Sequence, residues 1–224
     1  MQNLGLDILD WITIKRLAVG LYFTLEVALI SIVLTLILGT FFGILRTSHR
    51  RSITLPFKLY LEIVRILPTL VLLYLLYYIL PTLVNIDISG RVVGIMAFTF
   101  WGSAEMSDII RSAILSIPKH QKESAEAIGL NRIQLFRYVL LPQALRNAIS
   151  PALNLSARII MTTSLLVLIG VQDLTKIGKE IIEYASMMNN SLAPFWIYGL
   201  LLLIFFMICY PISKLASKIA QRKF

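Results

Sequence analysis

Seven ionisable side chains lie inside stretches that are otherwise apolar: Glu26, Glu62, Arg65, Glu105, Asp108, Arg111 and Arg158. A charge near the centre of a bilayer-spanning helix costs about 3 kcal/mol on insertion scales, so each calls for a partner or a role. Glu62 with Arg65, and Asp108 with Arg111, are spaced i,i+3 and share a helix face. Each pair can neutralise itself or reach headgroups, which is a structural role. Glu26 has no evident partner in the sequence. Glu105 and Arg158 differ, because each falls about half-way along its segment at ~1.5 Å per residue. An acid and a base so placed either neutralise each other or meet a polar solute. Covalent chemistry is not supplied: there is no G-x₄-G-K-[ST] phosphate loop, Asp108 lacks a second intramembrane aspartate, and His49 and His120 have no metal-ligand company.

The elements that carry these residues follow from composition. Of 224 residues, 58% are hydrophobic and 15% charged, and the mean hydropathy is +0.80. A soluble domain is nearer half apolar and a quarter charged, so the chain is an all-α integral membrane protein. Five apolar segments, about 18–45, 59–84, 92–116, 148–171 and 192–213, are each near or above the ~20 residues that cross ~30 Å of hydrocarbon. Together they make one transmembrane domain over 1–224. The first is not a cleavable signal, since Asp7 and Asp10 precede it and its apolar run is too long. Cys209 sits alone in an apolar span and makes no intrachain disulfide. Gly39-x-x-x-Gly43 allows close helix approach, and Trp101 lies deep enough for packing. Tyr74, Tyr77, Tyr78, Trp196 and Tyr198 suit an outer aromatic belt. Pro68 and Pro151 fall early in their spans, where a kink could line a cavity.

The net charge of +9 is distributed by topology. Arg46, Arg50, Arg51, Lys58, then Lys119, Lys122, Arg132, Arg137, Arg146, then Lys214, Lys218, Arg222, Lys223 occupy alternate loops, thirteen of the 21 basic residues. The other side has Lys15, Arg16, Arg91, Lys176 and Lys179, diluted by Asp7, Asp10, Asp87, Asp173, Glu180 and Glu183. The positive-inside rule predicts five crossings with the N-terminus outside and the C-terminus in the cytoplasm. The basic balance therefore reflects the membrane, and no nucleic-acid partner is expected.

This topology places the polar loop 117–147 in the cytoplasm. Its spacing predicts two short helices, Lys119 to Ile128 and Arg132 to Leu141, with Pro118 at the start of the first, Gly129 capping its end and Pro142 stopping the second. Glu123 and Glu126 lie in the first half of the first helix, favourably for its dipole. Ala125, Ile128 and Leu130 form a small apolar knob among charges. Such a handle either docks into a partner's groove or lies on the headgroups.

The ordered motifs resemble the permeases of polar amino acid ABC importers, the histidine/glutamine/arginine type, from about Gly20 to the end. Gly20-Leu21-x-x-Thr24-Leu25 resembles the family's opening, and Arg46-Thr47-Ser48 its basic turn. Glu62-Ile63-Val64-Arg65-Ile66-Leu67-Pro68 is similar to E-x-x-R-G-T-P, Asp108-Ile109-Ile110-Arg111 to E-I-x-R, and Ser116 to Gln121 to S-I-P-K-G-Q. Glu123-Ser124-Ala125, Gly129 and Val139-Leu140-Leu141-Pro142 resemble the EAA loop, and Leu141-Pro142-Gln143-Ala144 and Thr163-Ser164-Leu165 complete the series. The chain departs from the pattern at His120, where glycine is usual, and at Ser124, where alanine is. Glu105 stands for an aromatic residue, and Met161 for a lysine. Arg158, one turn earlier, carries a positive charge on the same face.

The resemblance implies a type I importer permease fold in the bacterial cytoplasmic membrane, with no enzymatic activity or bound cofactor of its own. It implies a second permease subunit, identical or paralogous, and a cytoplasmic P-loop ATPase dimer that holds the ATP and Mg. It also implies an extracellular or lipid-anchored binding protein, with membrane lipids around the spans. Glu123, Ser124, Ala125, Ile128, Gly129 and Leu130 would dock on the ATPase. Arg158, Glu105, Met161, Thr163 and Ser164 would face a polar or charged amino acid, with Arg158 on its carboxylate through a bidentate fork and Glu105 on an ammonium. The other reading, a buried Glu105–Arg158 pair without solute contact, stays open. An ion-coupled carrier is the rival class, and it would usually show internal repeats, of which none is evident. Uptake assays on Arg158→Met and Glu105→Gln separate the two readings of the pair: a substrate role predicts loss of apparent affinity in both variants, and unchanged affinity in both rejects it.

Overall fold

The computed structural model describes residues 10–48, 50–188 and 190–221. Asp7, His49, Arg222 and Lys223, named above, lie outside the described residues. Among the described residues every regular element is helical. α1 is Trp11–Leu45, α2 Arg51–Ile66, α3 Thr69–Tyr74, α4 Leu80–Val84, α5 Gly90–Leu115, α6 Lys119–Ala127, α7 Arg132–Gln134, α8 Leu141–Thr162, α9 Leu174–Met187 and α10 Ala193–Gln221. Wide π turns over Leu75–Ile79 and Leu135–Leu140 join α3 to α4 and α7 to α8, and a tight 3₁₀ segment Thr163–Ile169 continues α8.

Among the described residues, three helical runs are long and apolar enough to cross a bilayer: Trp11–Leu45, Arg132–Ile169 and Ala193–Gln221. The expected second span is two helices. Arg51–Ile66 and Thr69–Val84 are bent by 104° at the Leu67-Pro68 break and, counted as one broken span, make a fourth crossing. Leu67 is extended (φ −74°, ψ 124°), as the residue before a proline must be to avoid the ring. α5 has the length of a span, but Glu105 and Asp108 lower its mean hydropathy.

Proline acts differently at 142. The expected stop there is absent, and the helix runs on from Arg132 to Ile169. The reason lies in the π turn before it: the Leu141 N–H donates to the Phe136 carbonyl, one residue further back than in an α-helix. The wider turn relieves the clash that a proline ring has with the carbonyl four residues earlier. The same device precedes Pro81, where the Leu80 N–H donates to Leu75.

The chain forms two compact units. Among the described residues, one contains 10–31, 69–98 and 157–212. Its core joins α1, α9 and α10 through Leu17, Leu174, Ile177, Ile181, Ile197 and Leu201. Gly20 permits the approach, since a Cβ there would lie 2.9 Å from the Leu174 Cα. The Thr24 hydroxyl accepts from the Leu174 N–H at 3.0 Å. Glu26 finds a cation in Arg91 at 3.6 Å, and the Arg91 guanidinium also lies 4.0 Å from the Phe23 ring centre.

The second unit contains, among the described residues, 32–68, 99–156 and 213–221. Here Gly39 and Gly43 let α1 lie against α5. A Cβ on Gly39 would fall 2.4 Å from the Met106 Cβ, and one on Gly43 2.6 Å from that of Ile110. Trp101 and Tyr60 pack on Leu61, Val64 and Ala104, which gives Trp101 the packing role its depth predicts.

In the first unit, Asp173 is fully buried and caps α9 by accepting the Lys176 N–H at 2.8 Å. Burial pushes its carboxyl up to about 6 against the opposing pull of backbone donors. A carboxyl raised in the folded state stabilises fully below its unfolded value near 4, and that stability is lost as the pH rises through 6. The two-unit interval corresponds to roughly 3 kcal/mol. Asp173→Asn keeps the cap without the charge. It is expected to raise the melting temperature at pH 8 and leave it unchanged at pH 4, measured by thermal unfolding of the purified protein.

Candidate functional site

The second unit concentrates the ionised groups. Asp108, on α5, sits between two arginines: Arg46, just past α1, at 3.3 Å, and Arg65, on α2, at 2.6 Å. Arg46 is almost buried, its side chain 7% exposed, and also donates to the Ser107 hydroxyl at 3.0 Å. Arg65 places its Nε 3.8 Å from Glu105, one turn back along α5. The i,i+3 pairings expected from spacing are therefore replaced by pairings between helices. Glu62 turns instead to Lys58 at 3.5 Å, and both are well exposed. Arg111 is half-buried, while the Asp108 carboxylate goes to Arg46 and Arg65. The physical reason is geometric: side chains on α5 at 105 and 108 face α2, so a neighbouring helix offers a shorter path than the residue one turn on.

These groups border a cavity of about 380 Å³, lined by Arg65, Glu105, Asp108, Ser112, Asn147 and Pro151 among others. Pro151 lies within α8, and the helix continues through it.

Further along the chain, past α5, the loop forms a capped hairpin. α6 ends in a Schellman arrangement, with the Leu130 N–H on the Ala125 carbonyl at 3.1 Å and the Gly129 N–H on Glu126 at 2.9 Å. Gly129 has φ +84°, the left-handed conformation that glycine adopts without cost. The next helix starts with a reciprocal cap. Asn131 accepts from the Ile133 and Gln134 N–H groups at 3.1 and 2.9 Å, and Gln134 accepts from the Asn131 N–H at 2.9 Å. The N-x-x-Q spacing is the signal that discloses this cap. Gln143 ties back to Gln121 at 2.9 Å. Glu123 and Ser124 are exposed, Glu123 pairing with Lys119 at 3.0 Å. Of the expected knob, Ala125 is buried and Leu130 half-buried, whereas Ile128 is 78% exposed. Ile133, two residues past the asparagine cap, is equally exposed.

The other expected solute residues lie in the first unit. Arg158 and Met161 are exposed on one face of α8. Thr163 is fully buried, and its hydroxyl donates to the Ile160 carbonyl at 2.6 Å. The Ser164 hydroxyl donates to Met161 at 2.8 Å. This is where the α-helix tightens to 3₁₀. Glu105 is placed beside Arg65 and Asp108, and Arg158 beside Met161. Among the described residues no group of three or more His, Cys, Asp or Glu side chains could hold a metal.

Long apolar helices joined by an ordered, capped polar loop are the mark of a multi-pass membrane protein. The chain belongs to the family described as binding-protein-dependent transport system inner membrane component, which matches residues 35–218. In that family the permease is the membrane component of an ABC importer, and ATP hydrolysis is done by a separate subunit. Among curated proteins, the chain is 31% identical over 209 residues to the probable amino-acid ABC transporter permease protein YckA of Bacillus subtilis, covering 92% of this chain and 87% of the other. It is 32% identical over 173 residues to the glutamine transport system permease protein GlnP of Escherichia coli, covering 77% and 79%. Its fold matches the crystal structure of an amino acid ABC transporter with histidines at a TM-score of 0.81, with 25% identity, over 96% of this chain and 99% of the other. The fold is thus the all-helical type I importer permease fold, and the protein resides in the inner membrane.

Removing the acid that two arginines share leaves a nearly buried Arg46 uncompensated. Asp108→Asn is expected to cost about 3 kcal/mol, against less than about 1 for Glu62→Gln at its exposed pair, read from denaturant titrations of the purified protein.

Proposed function

We propose that this chain is the membrane subunit through which an ATP-driven importer passes a polar or charged amino acid. A binding protein delivers the solute from outside, a second permease subunit completes the pathway, and a cytoplasmic P-loop ATPase pair supplies the work. The capped loop carries this reading. A polar hairpin fixed by Gly129, Asn131–Gln134 and Gln121–Gln143, presenting Ile128 and Ile133 at 78% exposure, suits a partner's apolar groove. Glu123, Ser124, Ala125, Ile128, Gly129 and Leu130 form the docking element, and nucleotide-driven closure of the ATPase moves it as a rigid body. The charge distribution supports five crossings with the N-terminus outside and the C-terminus in the cytoplasm, the bent helix pair and α5 each counting as one.

Along its route the solute carboxylate meets Arg158 at one stage and its ammonium meets Glu105 at another, with Met161 and Ser164 beside Arg158; Thr163, matched by the same motif, is buried and held by the backbone. The names of the relatives support an amino acid as cargo. No observation favours an ion-coupled carrier.

The test is co-purification followed by reconstitution with the ATPase and binding protein. The expected result is a P-loop ATPase that comes down with the chain, and ATP hydrolysis stimulated by at least one member of an amino acid panel. Ile128→Asp should reduce ATPase recovery at least tenfold. Full recovery with that variant would remove the loop from the docking role.

A further inference from the structure

The cavity between α2, α5 and α8 in the second unit combines a cation with two anions on a wall of otherwise modest polarity. We propose that it is a holding site for a zwitterionic solute, an α-amino acid, whose carboxylate lies on Arg65 and whose ammonium lies on Glu105. This rests on the reading of the chain as an amino acid permease and adds Arg65 to the residues that touch the cargo.

Size comes first. About 380 Å³ is at the small end of ligand pockets, enough for a small organic molecule. Charge then selects the class. A simple cation drawn to Glu105 meets the Arg65 guanidinium, and a simple anion drawn to Arg65 meets Glu105. A molecule with both charges on neighbouring atoms satisfies both walls. Arg65 is suited to its part because its five N–H donors form a planar fork. One is committed to Asp108 at 2.6 Å, while the Nε lies 3.8 Å from Glu105, beyond hydrogen-bond length. The Arg65 side chain is half exposed, so its remaining donors are accessible from the cavity.

Asp108 is the positioning residue. Arg46 holds it from the far side at 3.3 Å, so its charge is compensated before any solute arrives, and it serves to aim Arg65. Ser112 and Asn147 add uncharged hydrogen-bonding groups to the same wall.

The experiment is equilibrium binding of radiolabelled L-glutamine, L-histidine and L-arginine to the purified permease–ATPase complex without its binding protein. At least one should bind the unaltered complex. Arg65→Gln and Glu105→Gln should each weaken that binding tenfold or more, and Arg65→Lys should recover part of the loss. The amide of the bound amino acid, which lacks the carboxylate, should compete at least tenfold more weakly than the acid in the unaltered complex and equally with it in Arg65→Gln. Ser112→Trp fills the cavity without touching an ion pair, so it tests the site even where an arginine variant misfolds. It should abolish binding in a complex that still elutes whole from a sizing column. Glu62→Gln, on the same helix but paired to Lys58, should stay within twofold. Unchanged binding in Ser112→Trp and Arg65→Gln overturns the site while leaving amino acid transport standing. If no amino acid binds and none stimulates ATP hydrolysis with the binding protein present, the transport reading fails and the site falls with it.

Discussion

A carboxylate shared between two arginines organises the second unit. Hydrocarbon offers no water to an ionised side chain, so a helix carrying Glu105 and Asp108 must be met by cations from its neighbours. Arg46 arrives from the end of α1 and Arg65 from α2, and both converge on Asp108. The glycines at 39 and 43 serve the same end. By letting α1 lie close on Ser103, Met106, Ser107 and Ile110, they bring the Arg46 guanidinium within reach. Packing and charge are one constraint here: without the close approach the arginine would not reach, and without the arginine the acid would be unpaid for in an apolar bundle.

The same requirement explains why spacing misjudged the ion pairs. The i,i+3 rule describes an isolated helix in water, where the nearest partner is on the same surface. In a bundle, the face that bears 105 and 108 is turned to α2, and Glu62, pointing away, settles on Lys58. Glu26 looked unpartnered for the same reason, since Arg91 lies 65 positions away in sequence and adjacent in space. Segment existence and the left-handed Gly129 were legible because apolar length and a glycine after a helical run are local properties. The break at Leu67-Pro68 was legible as a candidate kink, though its angle depends on neighbours. The uninterrupted course through Pro142 was not legible, because nothing in single-residue preference announces a π turn. Thr163 shows a further limit: a motif match placed it near the solute, while its side chain is buried and committed to the backbone.

The loop and the ion cluster meet in α5 and α8. α5 carries Asp108 two turns before it ends, and one tight turn later the chain is in α6. From there Gln121 grips Gln143 at the start of α8, and α8 contributes Asn147 and Pro151 to the charged cavity. The capped loop and the cavity therefore share two helices, α5 and α8.

The π turn over Leu135–Leu140 has an effect on phase. An extra residue within one turn rotates everything beyond it by about 100° relative to an unbroken α-helix. A helical wheel drawn straight through from Arg132 would assign Asn147, Pro151 and Arg158 to the wrong azimuth. The extra residue acts as a vernier: the face shown before the π turn and the face shown after it are set independently along a single helical run.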